Sequence, residues 1–210
     1  MKSFNNLYII KHAVIEDALT HPRDKDTSLV DFRTYSDKIC YLLFSSAVGS
    51  LNLKDKYVTT PITQTKGLVL SDDIVIIPIL RAGLAMLFAA KQLLPNVKVG
   101  LIGLVRDEKT AQASEYYFKI PQLNKDSVVI ITDPMLATGG TLIHALKKIS
   151  DMKCKKIMVV SVISAPEGIE NITKNFPNVE IYTGALDQKL NSQKYIVPGL
   201  GDYGDRYFGV

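Results

Sequence analysis

A short stretch of the chain, residues 128–141, combines a carboxylate, hydroxyl groups and glycines in an order that suits anion binding. It opens with four apolar residues, which predict a buried strand, and Asp133 follows at the strand's end. Gly139 and Gly140 permit backbone conformations that other residues rarely adopt, and a run with helical periodicity begins at Thr141. Backbone N–H groups at the start of a helix lack partners within the helix and attract anions. We therefore predict a phosphate-binding turn.

The chemistry of this turn favours a phosphomonoester. No lysine follows the glycines, whereas the phosphate-binding loop of nucleoside triphosphatases has a lysine that reaches the outer phosphates. Asp133 stands at the C-terminal end of the predicted strand, where open α/β sheets bind ligands, and its carboxylate can accept hydrogen bonds from a sugar diol. The alternative is an ordinary strand–turn–helix crossover with a glycine-rich turn.

A second strand–turn–helix unit spans residues 74–86 and places a single arginine, Arg81, at the end of an apolar strand. A guanidinium there can hold phosphate oxygens through two parallel hydrogen bonds. A surface arginine that pairs with a carboxylate fits this stretch equally well. Another arginine, Arg106, follows the mainly apolar residues 97–105 and opens the charge-dense segment 106–115. That segment is either a mobile loop that closes over a substrate or an ordinary solvated loop.

The C-terminal residues 195–210 are the third informative stretch. Three glycines and two aspartates lie between Gly199 and Asp205, a composition that suits neither helix nor strand, while the surrounding aromatic and aliphatic residues favour order. We predict an ordered loop, and its exposed backbone N–H and C=O groups can pair with a small planar amide. Such a pocket rejects analogues strongly, because mismatched buried polar groups stay unpaired. A purely structural tail is the alternative.

Length and composition limit the classes of protein to consider. With 210 residues, 47% hydrophobic and 22% charged, the chain suits one globular domain. The formal net charge of +4 is too small to predict nucleic-acid binding. No apolar run reaches the ~18 residues of a membrane span, and the first residues lack a signal-peptide pattern. Cys40 and Cys154 lack the spacing of a metal or redox site, so we expect a reducing, cytoplasmic setting and no membrane association.

The alternation of apolar strands with helices predicts an α/β fold with a mainly parallel central sheet flanked by helices on both faces. A short helix is predicted to begin near Pro166, which suits a first helical position. The predicted strands lie at residues 7–10, 74–80, 97–105, 116–120, 128–131, 156–163 and 179–183.

The front of the chain carries no obvious chemistry. We predict an N-terminal helical arm at residues 1–55, with a polar loop at 21–26 and a long helix that is capped by Thr27 or Ser28 and ends at Gly49. A small peripheral hairpin, or hood, follows. Its two strands lie at residues 56–63 and 65–70, with Pro61 in an edge position.

Three of these stretches together resemble a known family. Residues 128–141 resemble the phosphoribosyl-pyrophosphate (PRPP) motif of type I phosphoribosyltransferases, with Pro134 where a second acidic residue is usual. The run Asp-Pro-Met-Leu-Ala-Thr-Gly-Gly is similar to the uracil phosphoribosyltransferase branch. Pro-Ile-Leu-Arg-Ala-Gly-Leu at 78–84 resembles the pyrophosphate loop of that branch, and Gly-Leu-Gly-Asp-Tyr-Gly-Asp-Arg-Tyr-Phe-Gly at 199–209 resembles its uracil-binding C-terminus.

The resemblance covers most of residues 74–210 and implies a fold and a reaction. The fold is that of a type I phosphoribosyltransferase, as a single domain over residues 1–210. The reaction transfers the phosphoribosyl group of PRPP to N1 of uracil, giving UMP and pyrophosphate in pyrimidine salvage. Mg²⁺ is the implied cofactor, held by the pyrophosphate of PRPP and by water rather than directly by the protein.

The resemblance also implies roles for individual residues. Asp202 and Arg106 are the implied catalytic residues. The implied PRPP contacts are Arg81, Arg106, Asp133, Pro134, Met135, Leu136, Ala137, Thr138, Gly139, Gly140, Thr141 and Asp202. The implied uracil contacts, within a base-binding segment at 184–210, are Ile196, Gly201, Asp202 and Tyr203. Many bacterial members have alanine in place of Tyr203, which leaves open how this residue packs near the base.

The family further implies a homo-oligomer, either a dimer or a tetramer, and GTP as an allosteric effector. Two other functions fit parts of the sequence: a phosphoribosyltransferase for a different base, and a non-catalytic regulator that senses PRPP or uridine nucleotides. The C-terminal stretch favours uracil over other bases. The presence of Arg81, Asp133 and Asp202 favours an enzyme over a sensor.

Overall fold

The computed structural model describes residues 4–106 and 113–210, without the side chains of Arg106 and Ala113. The strands are β1 (Leu7–Ile9), β2 (Leu53–Thr59), β3 (Gln64–Leu70), β4 (Asp73–Leu80), β5 (Lys98–Val99), β6 (Leu101–Arg106), β7 (Ala113–Lys119), β8 (Ser127–Thr132), β9 (Met135–Leu136), β10 (Lys156–Ser164), β11 (Glu180–Leu186), β12 (Lys189–Leu190) and β13 (Ile196–Val197). The helices are α1 (Ala13–Arg23), α2 (Leu29–Val48), α3 (Gly83–Leu93), α4 (Gly140–Ser150), α5 (Pro166–Asn175) and α6 (Tyr203–Phe208).

The strands build one large, mainly parallel sheet, as the sequence predicts. Its order is β1-β11-β10-β8-β4-β6-β7, with β5 beside β4 and β9 beside β10. The pairs from β1 to β6 in this order are parallel, and only the edge strand β7 runs antiparallel, against β6. The carboxyl ends of β4, β6 and β8 therefore meet at one edge of the sheet, where ligands bind in open α/β folds.

Side chains of the central strands alternate between two buried clusters, one on each face of the sheet. In β8, Val128 and Ile130 belong to the first cluster, which includes residues of α1, α2, α3 and α6. Val129 and Ile131 belong to the second cluster, which includes residues of α4 and α5. Burial on both faces explains why this strand is apolar throughout rather than alternating with polar residues. Among the described residues, no helix combines the length and apolar character needed to cross a membrane.

The predicted helix capped by Ser28 is confirmed as α2. The Oγ of Ser28 accepts a hydrogen bond from Asp31 N at 3.1 Å. The predicted loop at 21–26 is wrong in its first half, because α1 continues to Arg23 with Pro22 inside its last turn. A proline there removes a single helical hydrogen bond close to the helix end, and Pro22 is itself buried with Ala18 and Leu19. Tertiary packing thus outweighs the tendency of proline to end a helix.

Three further differences concern element boundaries. The predicted hairpin is confirmed as β2 and β3, but Pro61 lies in the turn between the strands rather than within one. The predicted strand 97–105 is divided at Gly100, where an added Cβ would lie 2.7 Å from Ile120 Cγ2. The predicted loop 106–115 overlaps β7, which begins at Ala113, and residues 107–112 lie outside the described part of the chain.

The tail contains a helix that its composition does not predict. Asp202 accepts a hydrogen bond from Asp205 N at 3.0 Å and so caps α6, and Gly209 ends the helix with a φ of +80°. Tyr203 and Tyr207, one turn apart, are both buried. The glycines lower the local helix propensity, so composition predicts no helix here. Burial of two aromatic rings stabilises the helix nonetheless.

Candidate active site

The phosphate-binding turn has the geometry that its sequence predicts. Gly139 adopts a φ of +77°, a conformation that favours glycine, and α4 begins at the next residue. Gly140 N donates a hydrogen bond to Thr138 Oγ1 at 3.3 Å. A concave site of about 80 Å³ is lined by Asp133, Met135, Leu136, Ala137, Thr138, Gly139, Gly140, Thr141 and Leu142. Its position at the N-terminus of an eleven-residue helix makes it suitable for an anion.

Helix α5 supports the back of this turn. An added Cβ at Gly168 would lie 2.3 Å from Ala137 O, so only glycine permits this approach. Asn171 Nδ2 donates to Thr138 O at 3.0 Å, which satisfies a carbonyl of the turn. The carbonyls thus face α5, and we infer that the backbone N–H groups are left to face the cavity.

Asp133 lies just behind the turn and has an altered acidity. Met135 N donates to its Oδ1 at 3.2 Å. The pKa of Asp133 is raised to about 6: burial is the largest cause, the hydrogen bond from Met135 opposes it, and the charge of Asp202 adds to it. The last effect indicates that the tail brings a second carboxylate to the same cleft. A carboxyl group with a strongly raised pKa in a cleft is typical of a functional site.

Arg81 reaches the same edge of the sheet from the end of β4. Its Nη2 donates to Asp205 Oδ1 at 3.1 Å, and both side chains are substantially exposed. The carboxylate pairing that the sequence allowed is therefore present, and the exposed guanidinium still faces solvent for a ligand. The peptide bond between Leu80 and Arg81 is cis.

A close contact between two backbones joins the Arg81 loop, which connects β4 to α3, to the Asp133 loop, which connects β8 to β9. An added Cβ at Gly83 would lie 2.2 Å from Thr132 O, and Thr132 Oγ1 donates to Gly83 O at 3.1 Å. The start of α3 is thereby held against the end of β8. The two predicted ligand-binding loops are consequently adjacent.

The tail closes the site from the third side. An added Cβ at Gly204 would lie 3.4 Å from both Ala82 Cβ and Asp202 Oδ1, so the start of α6 packs on the Arg81 loop. The side chains of Ile196 and Tyr203 are buried at 5% and 1% exposure, in the core rather than in the cleft. Any ligand contact of these two residues must therefore use their backbone groups.

The structure brings most of the predicted site residues to one edge of the sheet. Arg81, Asp133, the turn at 137–141 and Asp202 converge there. Arg106 is the last residue of β6, and β6 pairs with β4 at the same edge, but its side chain lies outside the described residues.

Sequence reasoning missed two residues behind the tail, Arg23 and Asp187, which hydrogen-bond each other and Gly199. No local signal identifies them, because 164 positions separate the two side chains.

Comparisons with known proteins agree with this geometry. The family model described as uracil phosphoribosyltransferase matches residues 9–210. A uracil phosphoribosyltransferase from Campylobacter fetus is 45% identical over 205 residues, covering 98% of this chain and 98% of that protein. A solved structure of an Aquifex aeolicus protein is 40% identical and superposes with a TM-score of 0.93, covering 97% of this chain and 98% of that one. A hypoxanthine phosphoribosyltransferase structure from Staphylococcus aureus, 13% identical, shares the fold with a TM-score of 0.52, covering 82% of each chain.

Proposed function

The chain belongs to the uracil phosphoribosyltransferase family, and we propose that the cleft between the Arg81 loop, the Asp133 loop and the tail transfers the phosphoribosyl group of PRPP to N1 of uracil. The products are UMP and pyrophosphate. The observation that carries this proposal is the convergence of a phosphate-binding turn and a glycine-rich tail on the neighbouring carboxylates of Asp133 and Asp202. The pocket thus combines groups for a sugar phosphate with groups for a base.

Each part of PRPP has a suitable partner. The turn at 137–141 suits the 5′-phosphate, because the N-terminus of α4 attracts anions. Asp133 suits the ribose hydroxyls, because its carboxylate accepts only one hydrogen bond from a described residue. Arg81 and Arg106 suit the pyrophosphate, in keeping with the position of both residues at the same edge.

Mg²⁺ is the proposed cofactor. Within residues 4–106 and 113–210, no group of three potential ligand side chains surrounds a common point. Mg²⁺ often keeps several waters and takes oxygens from its substrate's phosphates, so such a site is not required. We therefore propose that the pyrophosphate of PRPP and water hold the ion, with no direct protein ligand. When bound, the ion would neutralise charge that develops on the departing pyrophosphate.

Positioning and charge stabilisation account for the proposed catalysis. As the bond from the sugar's anomeric carbon to pyrophosphate breaks, positive charge develops on the ribose and negative charge on the leaving group. The carboxylate of Asp202 is proposed to stabilise the sugar cation and to orient the base. Backbone groups at Gly201 and Tyr203 are proposed to pair with the edge of uracil. No side chain among the described residues at the site is an evident general base.

The direct test is UMP formation from labelled uracil, PRPP and Mg²⁺, with hypoxanthine, adenine and orotate as competing bases. We expect turnover of uracil and of none of the other three bases. Preferred turnover of another base would transfer the proposal to that base. Binding of PRPP without turnover of any base would support a sensor instead.

The affinity for PRPP is expected to fall as the pH drops through about 6. Above this pH the carboxyl of Asp133 is ionised and accepts hydrogen bonds from the ribose, whereas below it protonation removes acceptor capacity. The affinity should fall about tenfold for each pH unit below the midpoint. Isothermal titration calorimetry between pH 5 and 8 measures this, with Asp133→Asn beside wild type to subtract the titration of PRPP itself.

Ionisation of Asp133 should lower the stability of the fold, although the same ionisation favours PRPP binding. Because the folded pKa of Asp133 lies above its ordinary value of 3.8, the group's ionisation destabilises the fold as pH rises from about 4 to beyond 6. Relative to Asp133→Asn, the wild-type free energy of unfolding should therefore decrease across this range. A pH profile shared by wild type and variant would contradict the assignment.

A homo-oligomer is proposed, with the β2–β3 hairpin as its contact. Side chains of the hairpin expose large apolar areas, with Tyr57 at 75%, Ile62 at 94% and Leu68 at 62% exposure. A two-stranded hairpin is marginally stable by itself, and a concentrated apolar surface of this kind usually marks an interface. We therefore expect a second copy of the chain to cover it.

The prediction is that Tyr57→Ser with Ile62→Ser converts a dimer or tetramer into a 23.2 kDa monomer in sedimentation equilibrium. Val30→Ser is the matched control, because Val30 is 70% exposed on α2 outside the hairpin. The hairpin contact is wrong if wild type itself sediments as a monomer or if the double variant keeps the wild-type mass.

Two other properties are proposed on the family resemblance. GTP is the proposed allosteric effector, tested by the dependence of UMP formation on added GTP. A cytoplasmic location is proposed, in keeping with Cys40 and Cys154, which are free thiols.

A further inference from the structure

The end of α1 is joined by a partly buried ion pair to the residue that follows β11. Arg23 donates from Nη1 to Asp187 Oδ2 at 2.9 Å and from Nη2 to Asp187 Oδ1 at 2.6 Å, a two-pronged geometry. The side chain of Asp187 is 4% exposed and that of Arg23 is 25% exposed. Charge-assisted bonds of this kind are the strong ones in proteins, and a partner left alone in such a site is strongly unfavourable.

This pair holds both backbone groups of one residue in the tail. Gly199 N donates to Asp187 Oδ2 at 2.9 Å, and Gly199 O accepts from Arg23 Nη1 at 2.8 Å. Gly199 itself has a φ of +66°, and an added Cβ would lie 2.2 Å from Ile196 O. The backbone at this position therefore has one orientation, which the ion pair sets.

The anchor itself belongs to the sheet. Asp187 directly follows β11, and its N donates to Ser164 O, the last residue of β10, at 2.8 Å. The carboxylate is thus attached to two adjacent strands of the main sheet. Its position is transmitted to the tail through Gly199 rather than through any residue that faces the cleft.

A second arginine secures the following residue. Arg206 donates from Nη1 to Leu200 O at 2.7 Å and to Pro22 O, and from Nη2 to Asp24 O at 2.6 Å. Its guanidinium also lies 4.5 Å from the centre of the Phe32 ring. The backbone immediately before Gly201 and Asp202 is consequently tied to the end of α1 at two successive residues.

We propose that Arg23 and Asp187 are positioning residues for base recognition, which set where the backbone of residues 199–203 presents its N–H and C=O groups to uracil. This inference rests on the proposed function. Neither side chain is proposed to touch a substrate. Recognition through backbone groups depends on their placement, because a displacement of about 1 Å in a site can reduce activity about 100-fold. No hydrogen bond of either side chain reaches the described residues of the phosphate turn at 137–141, so we expect the pair to act on the tail rather than on that turn.

The test compares Asp187→Asn with wild type for two ligands that differ only by the base. Ribose 5-phosphate occupies the phosphate and sugar positions, whereas UMP adds uracil. An asparagine keeps the shape of Asp187 but has no negative charge and replaces one acceptor oxygen by an NH2 group, so it can no longer accept from both Nη atoms of Arg23. We expect UMP to bind about tenfold more weakly by calorimetry, with ribose 5-phosphate unchanged. The KM for uracil should rise about tenfold while the KM for PRPP stays within about twofold of wild type.

Two further variants separate positioning from general stability. Arg23→Lys keeps the charge but loses the two-pronged geometry, so a smaller increase in the KM for uracil is expected than with Arg23→Ala. Asp72→Asn is the matched control. The Asp72 side chain is also 4% exposed, pairs with Lys155 and accepts from Asn52 N at 2.7 Å, but it lies at the opposite end of β4. It should lower the urea midpoint without changing the KM for uracil.

The outcomes distinguish this inference from the proposed function. A wild type that binds UMP no more tightly than ribose 5-phosphate would overturn the base site and the inference with it. If wild type binds UMP more tightly than ribose 5-phosphate, and the Asp187→Asn variant shows the same preference, the inference alone would be overturned. A parallel loss of affinity for both ligands, matched by Asp72→Asn at equal stability, would also overturn it.

Discussion

Asp202→Asn is expected to reduce kcat/KM for UMP synthesis by about 100-fold or more, while the melting temperature stays within about 2 °C of wild type. The variant retains the shape of the side chain, and asparagine caps helices as well as aspartate does. The bond from Asp205 N to Asp202 Oδ1, at 3.0 Å, therefore has a replacement acceptor, and α6 should persist. What disappears is one negative charge beside the developing sugar cation.

The same substitution should change the titration of Asp133. The charge of Asp202 contributes to raising the pKa of Asp133, so its removal should move the pH midpoint of PRPP binding downward from about 6. Asp31→Asn is the control, since it removes the same charge from the first turn of α2. Equal activity of Asp202→Asn and wild type would keep the reaction but exclude Asp202 from catalysis.

Gly83→Ala is expected to lower the melting temperature by about 5 °C or more and to weaken PRPP binding about tenfold. The new methyl group would lie 2.2 Å from Thr132 O and 3.3 Å from Pro78 Cα, and both neighbours are backbone atoms that move only if strands move. Relief of the clash requires α3 to withdraw from β8. That movement separates the loop of Arg81 from the loop of Asp133.

Thermal denaturation followed by circular dichroism and calorimetric titration with PRPP measure the two effects. Gly67→Ala is the control, because a Cβ there would meet only Lys56 O at 3.5 Å, an ordinary contact in the hairpin. A Gly83→Ala variant as stable as Gly67→Ala would show that the two loops adapt independently. Reduced stability with unchanged PRPP affinity would show that their spacing is not needed for binding.

The central motif illustrates what local sequence can establish. The buried strand β8, the αL glycine at 139 and the start of α4 all follow from residues within a few positions of one another, and the structure confirms them. The same holds for α2 and its Ser28 cap, and for the start of α5 at Pro166. In each case backbone propensity, hydrophobic periodicity and capping agree over one contiguous stretch.

The errors at the end of α1 and in the tail have a common physical origin. Composition predicted a loop where α1 ends and a loop where α6 lies, because proline and glycine weaken helices locally. In both places the helix buries residues that distant elements contact: Pro22 of α1 is buried and its O accepts from Arg206 of the tail, and Tyr203 of α6 lies in the core. Helix stability in proteins comes mostly from such packing, which no local pattern reports.

The sequence by itself determined the fold class, the phosphate turn and the identity of the residues that carry the proposed chemistry, because these depend on local order along the chain. Only the tertiary structure decided how those residues meet. It placed Asp202 beside Asp133 and raised the pKa of Asp133 to about 6 by burial. It turned the ring of Tyr203 into the core and linked Arg23 to Asp187 across 164 positions. These features depend on burial and on distances between remote segments, which exist only once the chain has folded.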